Sequence, residues 1–268
     1  MKKVSILNHV IGPVMRGPSS SHTAGPWRIA KTAAGLLGAA PERAVFSFDP
    51  SSSLAVCFRD QGTDLAFAAG ILGWPLTSED FPRILSLAPG LGLDVEFKCA
   101  PFPEADHPNS SLLELSGGGR SLTIHSRSTG GGSFVIASLN GIPAEITGES
   151  YVIAVEGPPA PEEIKRLLDE AGWKTILKAK GGIQVLFGAS PSPMPQNLRD
   201  LIAEKAGGAP IFESDPVMAP MPGKSLFTNT GELASLARER GLSMGEAALA
   251  SEAALLGASE GDLNGEMG

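Results

Sequence analysis

The chain has 268 residues, a soft prior for about two domains at ~150 residues each, and it is long enough to bury a core without disulfides. Apolar residues make up 42% and charged residues 19%, the balance of a globular, soluble protein. With 29 acidic against 21 basic residues the net charge is −8, and no basic run occurs; both argue against nucleic acid as a partner, whose phosphates need clustered Lys and Arg.

Met1 to Leu7 imitates the start of a signal peptide, but Asn8, His9, Gly12, Pro13 and Arg16 interrupt it before an apolar core forms. No run of ~18 apolar residues exists, so no membrane span is expected and the cytoplasm is the expected location. Residues 1–40 read as a short strand, a Gly/Pro/Ser loop and a helix with Trp27, Ala30, Ala34 and Leu37 at helical spacing. Val45–Phe48 alternates as a strand, Asp49–Ser53 is loop-like, and Leu54–Phe58 reads as a buried strand. Leu65, Ala68, Ala69 and Leu72 stripe a helix that Gly73-Trp74-Pro75 stops. Val95–Cys99, Ser111–Leu115, Ser121–His125 and Ser133–Ala137 are strand candidates; Gly117-Gly118-Gly119 signals a hairpin, and Gly130-Gly131-Gly132 precedes the last strand. Cys57 and Cys99 have no disulfide or zinc spacing and read as buried thiols in strands.

From Tyr151 the order is strand, helix (Ile164, Leu167, Leu168, Ala171), strands Lys174–Lys178 and Ile183–Phe187, helix (Leu198, Leu201, Ile202) and a last strand at Pro210–Glu213. That is βαββαβ, a ferredoxin-like arrangement. Met218–Gly223 is linker-like. Two helices follow, with Asn229–Glu232 and Ser243–Glu246 in capping-box relation, and Glu260–Gly268 reads as a frayed acidic end. The expected fold is α+β: residues 1–148 as one domain, 149–217 as a ferredoxin-like unit, 218–224 as linker and 225–268 as a helical tail.

The most unusual stretch is Gly12 to Gly25, where Ser19, Ser20, Ser21, His22 and Thr23 meet a helix start. Helix-start amides lack partners and favour anions. His22 has the pKa range of an acid or base. The alternative is that Ser20 or Ser21 merely caps the helix while His22 is solvated. His107-Pro108-Asn109-Ser110 and Ser126-Arg127-Ser128-Thr129 with its three glycines are further candidates: Arg127 as a bidentate carboxylate partner, Gly130 and Gly131 as points of close backbone approach. In Gln61-Gly62-Thr63-Asp64, Thr63 or Asp64 reads by default as a helix cap. A metal hydrolase built on His9, His22, His107 and His125 is disfavoured by their spacing.

Taken together, Ile11-Gly12-Pro13-Val14-Met15, Gly17 to Gly25, Gly62-Thr63-Asp64, His107-Pro108-Asn109 and Gly130-Gly131-Gly132 resemble the β domain of iron–sulfur L-serine dehydratases over roughly residues 4–148. Ser225–Gly257, with Phe227-Thr228-Asn229, resembles the opening of that family's α domain. Residues 151–217 sit where some relatives carry an ACT-type effector module, with Glu156-Gly157-Pro158-Pro159 in place of its usual Asp-Arg-Pro-Gly loop. The resemblance implies conversion of L-serine to pyruvate and ammonia on a [4Fe–4S] cluster whose one free iron acts as Lewis acid. A cluster takes three or four thiolates, and this chain has two distant cysteines, so the cluster is expected on a cysteine-bearing α subunit in a hetero-oligomer. The site implied for this chain is Ser21, His22 and Thr23 for catalysis. Ser19, Ser20, Gly25, Thr63, Asp64, His107, Asn109, Arg127, Gly130 and Gly131 would surround the substrate, and Gln61 stands where relatives often carry His. The competing readings are a non-catalytic module that binds small anions and a dehydratase of another small hydroxy or amino acid.

Overall fold

The computed structural model describes residues 5–11 and 15–267; the Gly12, Pro13 and Val14 part of the opening motif lies outside the described residues. The chain divides into two compact units, residues 14–217 and residues 1–13 with 218–268. Residues 5–11 therefore group with the C-terminal helices.

In the larger unit, α1 (Ala24–Leu37) leads to β1 (Arg43–Phe48), α2 (Ser53–Cys57) and α3 (Thr63–Leu72). A helical segment follows, with one short turn of α-helix, α4 (Ile84–Leu87), between two 3₁₀ turns. Then come β2 (Asp94–Cys99), β3 (Ser110–Gly117), β4 (Arg120–Gly130), β5 (Ser133–Leu139) and β6 (Ile142–Ile146). They form a six-stranded sheet ordered β2-β1-β3-β4-β5-β6, antiparallel except for the β1–β2 pair. Alternation puts Ala44, Phe46 and Phe48 of β1, Leu113 and Leu115 of β3, and Leu122 and Ile124 of β4 into the main core with α1 and α3. Phe46 stacks with Phe67 at 4.4 Å and Phe97 at 5.2 Å between centroids. A Cβ on Gly70 would run into the Trp27 carbonyl and Ala30, so α1 and α3 cross closely because Gly70 has none.

The second sheet holds β7 (Tyr151–Glu156), β8 (Lys174–Lys180), β9 (Ile183–Ser190) and β10 (Ile211–Ser214), with α5 (Pro161–Glu170) after β7 and α6 (Gln196–Ala206) after β9. Its order is β10-β7-β9-β8, antiparallel throughout, which is the βαββαβ sequence expected. One face packs Ile153, Val155 and Leu186 on Ile164, Leu168, Leu198 and Ile202 of the two helices. The other puts Val152, Ala154, Phe187 and Phe212 into the same core as α1 and the first sheet. Leu201 was expected on the α6 stripe but is exposed; the buried face runs Leu198, Ile202, Ala206, an i, i+4 row.

Several local expectations change. Leu54–Phe58 is not a strand: the Ser52 hydroxyl accepts from Ala55 N–H at 3.1 Å and starts α2, leaving Val56 exposed. Cys57 is half-buried on that helix and Cys99 is exposed at the end of β2, so neither is a buried strand thiol.

In the smaller unit the expected first strand is a π-helical turn, Ile6–Ile11. The buried Glu252 carboxylate accepts from the Ser5 hydroxyl and from the N–H groups of Ile6 (2.9 Å) and Leu7 (3.1 Å), and this long-range anchor sets the local conformation. α7 (Thr230–Arg240) and α8 (Met244–Leu256) start at Asn229 and Ser243 as expected, each cap side chain accepting from the N–H three residues on. The acidic end is ordered as α9 (Glu260–Met267), because Ser259 and Asp262 exchange cap bonds; it is not frayed. Among the described residues no helix is long and apolar enough to cross a membrane.

Candidate active site

The loop before α1 folds back on itself. Ser19 Oγ and Ser21 Oγ lie 3.0 Å and 3.1 Å from His22 Nδ1 and 3.0 Å from each other. Ser53 Oγ, at the first residue of α2, stands 3.4 Å from His22 Nε2. Hydroxyls therefore face both ring nitrogens. The ring is 6% exposed, and burial pushes its pKa below the ordinary value, so it is neutral at neutral pH. This differs from the solvated histidine of the capping alternative.

Capping itself also differs. Thr23 is the N-cap residue, yet its hydroxyl turns back to the Ser19 carbonyl at 3.0 Å and caps nothing. The Gly25 N–H is taken by the Ser20 carbonyl at 2.9 Å, and Pro26 has no N–H. The helix start thus offers few of the amides an anion would use. The half-buried Ser20 hydroxyl has no partner among the described residues.

Three other segments close around this loop. Ser53 N–H donates to the Pro108 carbonyl at 2.9 Å, joining the β1 loop to the His107–Ser110 turn. In that turn Asn109 N–H donates to His107 Nδ1 (3.1 Å), and Asn109 Nδ2 donates to the Ser128 carbonyl (3.4 Å). Gly25 lies against Ser128, whose Oγ a Cβ at Gly25 would overlap. Gly17 lies beside the Gln61 carbonyl, bringing the Gln61–Asp64 stretch to the same loop. Asp64 is buried, which raises its carboxyl pKa, and its Oδ1 accepts from Leu65 N–H at 2.8 Å. The cap position of α3 is Gly62, so neither Thr63 nor Asp64 caps it.

Arg127 is not part of this assembly. Successive residues of β4 point to opposite faces. Ser126 and Ser128 share the α1 side, with Ser126 Oγ 2.8 Å from Ser111 Oγ. His125 and Arg127 share the other side with Asp106, whose Oδ1 is 3.7 Å from His125 Nε2 and 3.3 Å from Arg127 Nε. Burial lowers the His125 pKa, with Asp106 pulling the other way.

Two residues escaped the sequence reading. Ser53 reads as one more serine of a loop. Arg28 is buried on α1 and donates from Nη1 to the Gly132 carbonyl at 2.9 Å; the only available signal was a charged residue among apolar helix positions. The buried side-chain atoms without a hydrogen-bond partner among the described residues are Arg28 Nε, Thr32 Oγ1, Gln61 Oε1, Thr63 Oγ1, Asn109 Oδ1, Arg127 Nε and Ser128 Oγ. All lie on α1 or on the motif segments, and none on the second sheet. Buried polar atoms of this kind are ones that water, an ion or a ligand would satisfy, and Arg127 Nε already has Asp106 at 3.3 Å. Among the described residues no group of three or more His, Cys, Asp or Glu is placed to hold a metal ion.

No family model matches the chain. A probable L-serine dehydratase beta chain of Bacillus subtilis (strain 168) is 37% identical over 155 residues, covering 58% of this chain and 69% of that protein. The L-serine dehydratase beta chain of Peptoniphilus asaccharolyticus is 35% identical over 150 residues, covering 56% and 67%. Identity at this level, over two thirds of each relative, shows that the chain belongs to the L-serine dehydratase beta-chain family.

Proposed function

We propose that the chain is the β subunit of an L-serine dehydratase that works with a cysteine-bearing α subunit to convert L-serine to pyruvate and ammonia. The observation that carries this is the neutral, buried His22, held at Nδ1 by Ser19 and Ser21 and faced at Nε2 by Ser53, in a chain of this family. The names of the relatives, beta chains of L-serine dehydratases, support the subunit role.

The residues present do not fit a [4Fe–4S] cluster. Cys57 Sγ is engaged with the Ser53 carbonyl (3.1 Å) and Gln61 Nε2 (3.4 Å), Cys99 lies at the end of β2, and a cluster needs three or four thiolates. In this reading the cluster belongs to the α subunit. This chain's own part is to orient and to move a proton. Ser19 and Ser21 fix the His22 ring, and Nε2 is the nitrogen that takes or gives the proton, with Ser53 as its resting partner. The Ser20 hydroxyl and the unpaired Asn109 Oδ1 are among the groups open to substrate, and Thr23 keeps the Ser19 carbonyl in place. Gly25 lets α1 approach Ser128 and hold Asn109 in position. Thr63 and Asp64 back the loop through Gln61. Residues 1–148 are read as the β domain, 149–217 as an ACT-like unit, 218–224 as linker and 225–268 as the opening of the α domain; the βαββαβ order supports the second assignment.

The test is purification from the native source, with iron, labile sulfide and serine-dependent pyruvate assayed anaerobically. A cysteine-rich partner and pyruvate are expected. A chain that purifies alone, without iron, and binds small anions would instead be a regulatory module.

A further inference from the structure

A charged side chain withdrawn from water is normally met by an opposite charge, because its lost hydration is otherwise uncompensated. Arg28 breaks that pattern. It is 4% exposed, and no carboxylate stands beside it among the described residues. Burial alone pulls its pKa down to about 10, and it remains a cation at neutral pH. Its one hydrogen bond fixes Nη1 on the Gly132 carbonyl. The Nε–Nη2 edge, which meets a carboxylate side-on with two parallel hydrogen bonds, has no protein partner among the described residues.

The surroundings fit an acceptor for such an anion. Arg28 is one turn past Gly25, which rests on Ser128, and the Ser128 hydroxyl is 1% exposed and unpaired. Gly130, Gly131 and Gly132 close over the end of β4 with φ of 98°, 61° and 75°. Only glycine enters that region freely, so the turn has no side chain to shield the guanidinium. Arg127, the arginine that the sequence singles out, is on the opposite face with Asp106 and does not compete.

We propose that Arg28, with the Ser128 hydroxyl, receives the carboxylate of a small hydroxy or amino acid, while Gly132 holds its guanidinium in orientation. The assignment rests on reading this site as that of a dehydratase β subunit and names the group that binds the substrate's charged end. The test uses the full-length ¹⁵N-labelled chain, titrated with L-serine, with glycolate (carboxylate without amine) and with ethanolamine (amine without carboxylate). L-Serine and glycolate are expected to shift the Arg28 Nε–H and the amides of 130–132, and ethanolamine to leave them unmoved. Arg28→Met is expected to weaken both carboxylates roughly 10- to 100-fold, and Arg28→Lys, which keeps the charge and loses the fork, to weaken them less. Amide dispersion establishes that each variant folds; if Arg28→Met does not fold, Arg28→Lys decides. The proposal is overturned if carboxylates bind Arg28→Lys as tightly as the wild type, if they move only resonances away from 28 and 130–132, or if the full-length chain binds neither carboxylate. If carboxylates bind at Arg28 but the α–β complex makes no pyruvate, the dehydratase reading fails and this assignment stands.

Discussion

The two sheets of the larger unit share one core yet treat polarity in opposite ways. The four-stranded sheet buries apolar side chains on both faces, and its few buried polar groups are paired: Ser190 accepts from Ser192 N–H and the Ser214 hydroxyl donates to the Asp215 carbonyl. The six-stranded sheet and α1 bury Arg28, Thr32 and Ser128 with atoms left unpaired, and the turn before β3 adds Asn109 Oδ1. A core selected for stability alone would replace such groups with apolar ones. The second sheet therefore shows what packing requires, and the first carries buried polar atoms that packing does not account for.

The largest expected effect is on chemistry. His22→Asn should lower kcat of the reconstituted α–β complex by ~10²–10⁴, the range of a lost acid–base group, whereas Ser190→Ala, buried in the other sheet away from the site, should leave kcat within about twofold. Equal losses in both would erase the contrast between the sheets. Next comes the shared core. Phe46→Ala in that core should cost ~3–5 kcal/mol, and Ile153→Ala in the separate core between the second sheet and its helices ~2–5 kcal/mol, in urea unfolding. Because Phe187 and Phe212 lie in the same cluster as Phe46, one transition is expected for both sheets; two separated transitions would show that the sheets unfold independently.

A finer contrast lies between two serines of one strand. Ser126 is paired with Ser111 at 2.8 Å, so Ser126→Ala should destabilise by ~0.5–1.5 kcal/mol. Ser128 is buried and unpaired, so Ser128→Ala should leave stability unchanged or raise it by up to about 1 kcal/mol while weakening serine binding. A loss of stability at Ser128 would mean that its hydroxyl is structural.

Acid should act through the first sheet. The His22 and His125 pKa values are both depressed by burial, so the unfolded chain binds more protons than the folded one as pH falls below 6.5. Their contribution to stability is full above 6.5 and is lost as pH falls through the lowered folded values. Denaturation midpoints across that window should drop less in His22→Asn than in the parent. The smallest effect concerns Cys99: Cys99→Ser should change stability by no more than about 0.5 kcal/mol and leave the iron content of the complex untouched.

What could be read from sequence was what local chemistry decides. The caps at Asn229 and Ser243, the Gly118-Gly119 hairpin and the alternating strands depend on residues within a few positions, and they appear where expected. Leu54–Phe58 misled because a five-residue apolar run has no period to separate strand from helix. The turn at Ile6–Ile11 depends on Glu252, and the burial of Arg28 on a glycine turn 104 residues away, distances at which a single sequence is silent. The serine–histidine loop stood out by composition. Which of its hydroxyls face the imidazole needed the fold of the loop and of the start of α2, and that Arg127 faces away needed the register of β3 on β4.

The strand order of the second sheet leaves β8 at its rim, and Lys174, Lys178 and Lys180 lie along it on either side of the exposed Ile176. A sheet rim with unused backbone donors and acceptors is a template on which further chains can stack into insoluble ribbons. Two copies meeting rim to rim would bring lysine rows together and repel. Neutralising the three lysines, by charge-removing acetylation for instance, should make the chain more prone to aggregate while its fold is unchanged.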